Sequence, residues 1–353
     1  MNTNIPTDRL EQAVAETEII TGQSLAGARL AGVQLGGGVF QNVDFTGVDL
    51  TGACLDECIF TECVFDSAAM AGSSAARALF YGCRANEPDA AEAGLDGAKF
   101  VDCVLHRAGF ERAALGHAKF AQCTIHDCRF SGAKIDQTAF VEGDLIRPDF
   151  SGTLLNRIVL LKADLTAAKL EGCRFYLAVL VETRLAGMML EGLDFTLSQF
   201  TGADLAGAGL RGASLAQCNF QNADLRGADL REVDAPNAIF VAARLDEANL
   251  AGANIQQAIF QQAALENAVL SGAQAWQTNW TAARCTGARF DGAELTYADF
   301  SGADLTGACF DGASMYRANL HGTKREGAHI TDIKRTLGDD KERLEAELWR
   351  PAV

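Results

Sequence analysis

The side chains best suited to chemistry in this chain are thiols and imidazoles that recur at intervals of twenty residues. Two sets share this spacing: Cys63, Cys83, Cys103 and Cys123, and the pair His106 and His126. If a structural repeat stacks them, the thiols could form a metal or redox ladder, and the imidazoles with Asp127 a surface metal site. The alternative is that cysteine replaces alanine as a small apolar filler, with burial raising the pKa of each thiol. We favour the filler, because eight cysteines share one position of the pattern described below, and we expect no metal or cofactor.

No arrangement of nucleophile, base and oxyanion donors is recognisable in the sequence. A G-x-S-x-G nucleophile elbow is absent, and the glycines follow a short repeat instead of forming a phosphate-binding loop. The paired acids fall at positions that this repeat turns toward solvent. We therefore expect no enzymatic activity.

A period of five residues places all of these side chains. Between positions 25 and 330, nearly every residue whose number is a multiple of five is large and apolar. The departures are Ala75, Ala85, Ala90, Ala235, Ala275, Cys285 and Arg325. A small residue, usually Ala, stands two places before each large one, and Gly often stands two places after it. The stretch Ala298-Asp299-Phe300-Ser301-Gly302 shows the whole unit.

This pattern resembles the pentapeptide-repeat family from Leu25 to Ile330. The resemblance implies an all-β solenoid, a right-handed quadrilateral β-helix of about 15 coils. Four pentapeptides form each coil of twenty residues, and the large and small residues point inward. Stacking in steps of twenty then predicts an aromatic core ladder, which we interpret as packed core and not as a ligand channel: Phe40, Phe60, Phe80, Phe100, Phe120, Phe140, Phe200, Phe220, Phe240, Phe260, Trp280 and Phe300.

Two places depart from the regular pattern. Residues 85–92 carry alanine at two large positions and Pro88 at a small one, so we expect a loosened coil or a bulging loop there. Ile158, Met188 and Leu193 are oversized for the small site, and they predict local bulging.

A solenoid needs caps at its ends, because exposed strand edges invite aggregation. We assign residues 1–24 to an N-terminal helical cap, 25–330 to the β-helix and 331–353 to a C-terminal helix. Pro6–Ala15 reads as a short helix with Thr7 as its N-cap, and we expect Leu10, Val14 and Ile19 or Ile20 to cover the first coil. The C-terminal helix, with Leu337, Leu344 and Leu348 as its apolar stripe, either caps the last coil or pairs with a second copy in a homodimer.

The net charge is −16, which disfavours direct binding to nucleic acid or to an anionic membrane. The first residues carry neither a basic segment nor an apolar core typical of a secretory signal, and the cysteine positions do not suggest disulfides. A reducing bacterial cytoplasm is the expected location.

Two functions fit an acidic solenoid without catalytic residues. One is a protein-binding scaffold or adaptor, and the stretch from Arg9 to Ala28 resembles that of pentapeptide-array proteins encoded with bacterial type VI secretion machinery. The other is a DNA mimic, similar to the gyrase-protecting quinolone-resistance members of the family; a secreted effector is a further alternative. The acids spaced by about twenty form the candidate interaction surface: Asp204, Asp224, Asp246, Glu247, Glu266, Asp291 and Asp311. No outward column holds more than two consecutive acids, and basic residues interrupt the columns, which favours the scaffold.

Overall fold

A computed structural model describes residues 7–349 of the chain. The chain divides into two compact units, Met1–Thr183 and Arg184–Val353. The helices are α1 (Thr7–Ala15) and α2 (Lys341–Leu348), and a 3-10 turn spans Ile333–Arg335. The strands are β1 (Ile19–Thr21), β2 (Val39–Gln41), β3 (Ile59–Thr61), β4 (Leu79–Tyr81), β5 (Arg84–Asn86), β6 (Lys99–Val101), β7 (Val104–His106), β8 (Lys119–Ala121), β9 (Thr124–His126), β10 (Ile135–Asp136), β11 (Ala139–Val141), β12 (Asp144–Ile146), β13 (Leu154–Asn156), β14 (Val159–Leu160), β15 (Arg174–Tyr176), β16 (Cys309–Phe310) and β17 (His329–Ile330).

Each pentapeptide makes one side and one corner of a four-sided coil. At the corner after Leu225, the N–H of Ala228 donates to the carbonyl oxygen of Leu225 at 3.1 Å, which closes a four-residue turn. Gly227, the third residue of that turn, has φ +63, a left-handed conformation that a turn of this kind requires. Leu225 and Ala228 are both buried. The large residue, the small residue and the glycine of the repeat are thus three parts of one corner.

The Asp or Asn before the large residue completes the corner. Oδ1 of Asp304 accepts the backbone N–H of Thr306 at 3.1 Å, and Oδ1 of Asp44 accepts that of Thr46 at 3.0 Å. These side chains satisfy a donor that turns away from the neighbouring coil. The polar position of the repeat is therefore structural as well as exposed.

Unit Met1–Thr183 is a stack of parallel strands in register steps of twenty. Its largest sheet has the order β1-β2-β3-β4-β6-β8-β11-β14, and two further sheets have the orders β12-β9-β7-β5 and β10-β13-β15. Phe40 pairs with Phe60 and Phe100 with Phe120. The rings from Phe40 to Phe140 stack at centroid distances between 4.7 and 5.1 Å. The predicted quadrilateral β-helix is confirmed.

Unit Arg184–Val353 repeats this architecture with isolated parallel bridges such as Asp204 to Asp224 and Asn219 to Ile239. Its rings stack from Phe200 to Phe300 through Trp280, and the Phe260–Trp280 centroids are 4.2 Å apart. Trp280 is fully buried, and its Nε1–H donates to Thr278 Oγ1 at 2.6 Å. The large positions on either side of Trp280 hold Ala275 and Cys285, so small residues compensate for the indole volume in the same coil.

Helices are found toward both ends, as predicted. In α1, Leu10 and Val14 are buried, and Glu11 Oε1 accepts the backbone N–H of Gln34 at 2.9 Å, so the helix contacts the first coils through apolar and polar groups. Pro6 lies outside the described residues. The strand pairing begins at β1, ahead of the predicted start at Leu25. None of the helices in residues 7–349 has the length and apolar character needed to cross a bilayer.

At the C-terminal end, α2 begins after Asp340, whose side chain accepts the N–H of Arg343. The prediction that Leu337 belongs to the helix is wrong. Leu337 forms a parallel bridge with Asn319, because its N–H and carbonyl continue the edge of the last coil. Leu344 is half-buried. The predicted role of Leu348 concerns a side chain that lies outside the described part of the structure.

The expected bulge at residues 85–92 is absent from the structure. Ala85 and Ala90 are buried, and β5 pairs in register with β7. The missing side-chain volume appears inside the coil instead, as an apolar cavity of about 30 Å³ lined among others by Phe65, Ala85, Pro88 and Phe100. The inter-coil hydrogen bonds hold the backbone in place, so truncated side chains leave a void there.

The oversized residues at small sites behave differently from one another. Ile158 is fully buried, whereas Met188 and Leu193 are half-buried. Met188 and Leu193 still donate their turn hydrogen bonds at 3.1 and 3.3 Å. The excess volume therefore displaces the side chains outward and does not open the turns.

Candidate interaction surface

Five of the seven predicted surface acids lie around one side of the second unit. Asp204 and Asp224 each stand directly before a large residue of this side. Asp246, Glu247 and Glu266 each stand one or two places after one. Glu247 and Glu266 are exposed, and the others are half-buried. Asp291 and Asp311 follow Phe290 and Phe310, so they belong to the next side of the coil. The structure thus divides the predicted surface into two groups.

Arginines neutralise part of the first group. Asp224 contacts Arg226 at 2.6 Å and Arg244 at 3.2 Å. The hydrogen bond from Arg226 holds the pKa of Asp224 below its usual range, against the opposing effect of burial. Arg284 lies 3.6 Å from Glu266. Among the described residues, this side of the unit carries mixed charge and no continuous acidic stripe.

An aromatic and basic patch, which the sequence reasoning missed, lies on a different side of the same unit. We call Tyr297, Tyr316, Arg317 and Arg335 the Tyr–Arg patch. Tyr297 is 48% exposed and Tyr316 41% exposed, and their ring centroids are 5.8 Å apart in an edge-on arrangement. The guanidinium of Arg317 lies 5.9 Å from the Tyr297 centroid, and that of Arg335 lies 5.2 Å from the Tyr316 centroid. Cation–π attraction of this kind orients exposed side chains before any partner arrives.

The backbone beneath the Tyr–Arg patch is tied together between coils. The N–H of Tyr297 donates to the carbonyl oxygen of Tyr316 at 3.0 Å, and that of Arg317 to Arg335 at 2.8 Å. The sequence does hold a signal for this patch, namely two tyrosines at outward positions of adjacent coils. Their spacing of nineteen is not the repeat distance, so a search in steps of twenty does not bring them together.

The cysteine ladder is buried as the filler interpretation expects. Cys63, Cys83, Cys103 and Cys123 are all buried, and their thiols contact the carbonyl oxygens of phenylalanines on the preceding coil at 3.3 to 3.6 Å. Hydrogen bonding to Cys103 together with burial raises the pKa of Cys123. All eleven cysteines of the chain are free. These thiols pack as small groups inside the unit.

Burial has the same effect on cysteines outside the ladder. It raises the pKa of Cys58, Cys128 and Cys218 to about 12 in each case. Such groups remain neutral thiols at physiological pH and are poor nucleophiles.

The two histidines of the first unit form a stacked pair. The His106 and His126 rings lie 4.9 Å apart at 17°. His106 Nδ1 contacts Asn86 Oδ1 at 2.7 Å, and Arg147 donates to His126 Nε2 at 3.0 Å. Arg147 also pairs with Asp127 and lowers the pKa of that carboxyl to about 2. The hydrogen bonds therefore already engage this cluster, which is consistent with a structural role.

Sequence models of known families agree with this geometry. A model described as pentapeptide repeats, in 8 copies, matches residues 24–61, 178–217, 208–246, 248–279 and 283–322, which is about half of the chain. A second, described as a pentapeptide repeat region, matches residues 103–175. The chain belongs to the pentapeptide-repeat family. Members of this family are in general structural or interaction proteins. No curated protein matches the chain.

Solved structures of pentapeptide-repeat proteins are similar to this chain. HetL, involved in heterocyst differentiation regulation in the cyanobacterium Nostoc sp. strain PCC 7120, is 27% identical, with 66% of this chain and 90% of HetL covered and a TM-score of 0.25. QnrB1, a plasmid-mediated fluoroquinolone resistance protein, is 19% identical over 66% of this chain and 93% of its own, with a TM-score of 0.35. Rfr23 from the cyanobacterium Cyanothece 51142 is 24% identical over 46% and 91%, with a TM-score of 0.15. At these TM-scores the family assignment rests on the sequence models.

Proposed function

We propose that this pentapeptide-repeat protein is a non-enzymatic scaffold or adaptor that binds a protein partner through outward-facing side chains. The observation that carries the proposal is the Tyr–Arg patch. Together with Trp, Tyr and Arg are enriched among the few central residues that dominate the binding energy of protein interfaces. Here they are exposed, adjacent and fixed in orientation, on a chain whose inward positions are occupied by packed side chains.

The rigidity of the coil supports this role. The hydrogen bonds between coils fix the backbone of Tyr297 and Tyr316, so binding would order few additional groups. Immobilising a flexible side chain costs about 0.5–1.5 kcal/mol on association, and preorganised aromatic rings avoid part of that cost. A scaffold of this kind holds its binding residues at a constant spacing.

The chemistry of the partner follows from the patch. Two guanidinium groups beside two phenol rings suit a surface that offers carboxylates and apolar edges. The finer proposal, that the partner belongs to a bacterial type VI secretion assembly in the cytoplasm, rests on the resemblance of the stretch from Arg9 to Ala28 alone.

Paired tyrosine variants test the scaffold. Tyr297→Ala/Tyr316→Ala is compared with Tyr81→Ala/Tyr176→Ala, which removes two tyrosines of the first unit that are exposed to a similar degree. In quantitative pull-downs from the native host, we expect the wild type and the control variant to capture the same partner protein in similar amounts. The patch variant should capture at least ten-fold less of this partner, since a central hot-spot residue contributes about 2 kcal/mol or more. Equal capture by both variants, or no partner at all, would contradict the proposal.

A DNA mimic is the alternative from a different class of function, and the net charge of −16 is compatible with it. The arginines paired with Asp224 and Glu266 interrupt the acidic columns that a mimic needs. We therefore expect no change in gyrase supercoiling at micromolar protein. Inhibition or protection of gyrase at that concentration would favour the mimic over the scaffold.

A further inference from the structure

Four potential metal ligands converge on the surface of the second unit at β16 and β17. Cys309 and His329 are register partners on these adjacent strands. Asp291 and Asp311 lie on the same side of the coil, each directly after a buried phenylalanine. The thiol of Cys309 donates to Asp291 Oδ1 at 3.0 Å, and Asp311 Oδ1 lies 3.0 Å from His329 Nδ1.

Cys309 is unusual among the cysteines of this chain. Eight occupy the small inward position, and Cys285 fills a large one. Only Cys54 and Cys309, of all the cysteines, are half-buried at outward positions, where the repeat normally places Asp or Asn. Cys54 forms parallel bridges with Gln34 and Ser74, whereas Cys309 has a histidine on the next strand.

The three closest groups already have the spacing of a coordination sphere. One atom each of Asp291, Cys309 and Asp311 can be chosen so that all three lie within 4.8 Å of one another. Ligands bound at about 2.0–2.3 Å in a tetrahedron are separated by roughly 3.3–3.7 Å, so small side-chain rotations would bring these atoms around one ion. His329, which is exposed, can supply the fourth ligand from the last coil.

We propose that Asp291, Cys309, Asp311 and His329 form a binding site for a divalent transition-metal ion, with Zn²⁺ as the best fit. A mixed set of thiolate, imidazole and carboxylate ligands is typical of zinc, whereas magnesium and calcium take oxygen ligands. On binding, the thiol releases its proton to solvent, as does His329 where it is protonated, and the metal takes the place of the proton between Cys309 Sγ and Asp291 Oδ1.

Groups around the ligands support this assignment. The other carboxylate oxygen of Asp291 accepts from Arg289 Nε at 3.1 Å and from Ser271 Oγ at 3.2 Å, which leaves Oδ1 directed at the site. Outer hydrogen bonds of this kind orient metal ligands. The charges of two carboxylates and one thiolate are balanced by Zn²⁺ together with Arg289. The ion would link three successive coils near the end of the unit.

Cobalt substitution tests the site in the full-length protein. The reduced, chelator-treated chain is titrated with Co²⁺, which reports tetrahedral geometry by visible absorption and thiolate ligation by a near-ultraviolet charge-transfer band. We expect one Co²⁺ per chain, displaced by Zn²⁺. Cys309→Ser should abolish the charge-transfer band, and Asp311→Asn and His329→Gln should each weaken binding at least ten-fold. Cys54→Ser, the matched control, should leave the spectrum unchanged.

Other results would overturn the proposal. An unchanged band in Cys309→Ser, or a band lost in Cys54→Ser, would place the thiolate elsewhere. Loss of binding in His126→Gln would place the ion at the stacked histidines of the first unit. Because Asp311 and His329 are exposed, their variants should fold normally, and circular dichroism checks this. A folded wild-type chain that binds no Co²⁺ even at roughly 1 mM, the affinity of the weakest metal sites, would also contradict it.

Discussion

At the scale of single residues, position within the five-residue unit determines burial at most sites, with exceptions such as His321. The sequence therefore predicted which side chains face inward, and the stacked rings from Phe100 to Phe140 follow directly from that frame. It did not predict the outcome for Ala85, because whether a truncated side chain causes a bulge or a void depends on the stiffness of the surrounding hydrogen bonds. Nor did it predict the Tyr–Arg patch, because contacts between outward side chains depend on rotamers and on corner geometry.

The void at Ala85 leads to a prediction about stability. Ala85→Val adds two methyl groups to the apolar cavity of about 30 Å³, so it should stabilise the protein by about 1 kcal/mol. The control is Ala258→Val, which adds the same two methyl groups at a small site that is fully buried. It should cost about 1–3 kcal/mol by overpacking. Urea unfolding of both variants measures the difference. Destabilisation of equal size in both would show that the void is not available to a side chain.

At the scale of the pentapeptide corner, the carboxylates before the large residues accept backbone N–H groups. Hydrogen bonds from the side chain and the N–H of Thr46 lower the pKa of Asp44, and those of Thr306 lower the pKa of Asp304. A carboxyl whose pKa is lower in the folded state stabilises that state above its unfolded pKa of about 4. That contribution is lost as the pH falls below 4 through the folded pKa.

The corner carboxylates should therefore make the protein acid-sensitive. Asp44→Asn/Asp304→Asn keeps an acceptor oxygen at each corner but removes the titration, so the loss of stability between pH 7 and pH 3 should be smaller than in the wild type. The urea midpoint at both pH values measures this. Glu247→Gln, which removes the charge of an exposed carboxylate, serves as the control and should behave as the wild type. An identical acid response of all three proteins would contradict the explanation.

At the C-terminal element, the sequence predicted a helix, and the structure adds how that helix is attached. His321, which is only 3% exposed, accepts the backbone N–H of Asp340 at Nδ1 at a distance of 3.1 Å. Its Nε2 lies 3.2 Å from Glu347 Oε2. A buried histidine on the last coil could not be foreseen from the five-residue pattern, since its position in the unit is normally solvent-facing.

His321→Ala should detach α2 from the coil. It removes both hydrogen bonds, at a net cost of about 0.5–1.5 kcal/mol for each. Hydrogen exchange of residues 337–348 should accelerate, while that of residues 200–300 should be unchanged.

If α2 instead pairs with a second copy, Leu344→Asp would convert a dimer to a monomer in sedimentation equilibrium. We expect both the wild type and Leu344→Asp to be monomers, because α2 already contacts its own coil.

At the scale of the whole molecule, the repeat makes each coil depend mainly on its neighbours. In both units the register advances in steps of twenty, and the backbone hydrogen bonds between coils of residues 7–349 join each coil to its neighbour. Stability is then close to a sum of coil terms and neighbour terms. The sequence could establish this period because it contains no insertion over about 300 residues. It could not identify a partner, because the outward positions that bind are free to vary within the repeat.

The most direct test of the five-residue frame is the stability of two insertion variants of the second unit. Duplication of residues 241–260 adds one whole coil and keeps Phe240, Phe260 and Trp280 stacked on the same side, with Phe260 repeated between them. We predict an unfolding midpoint at least as high as that of the wild type, because the added coil repeats existing neighbour contacts. Insertion of a single alanine after Gly252 shifts every later large residue out of the core and should unfold the unit or greatly reduce its midpoint. Equal tolerance of both insertions would contradict a core built on an unbroken frame of five.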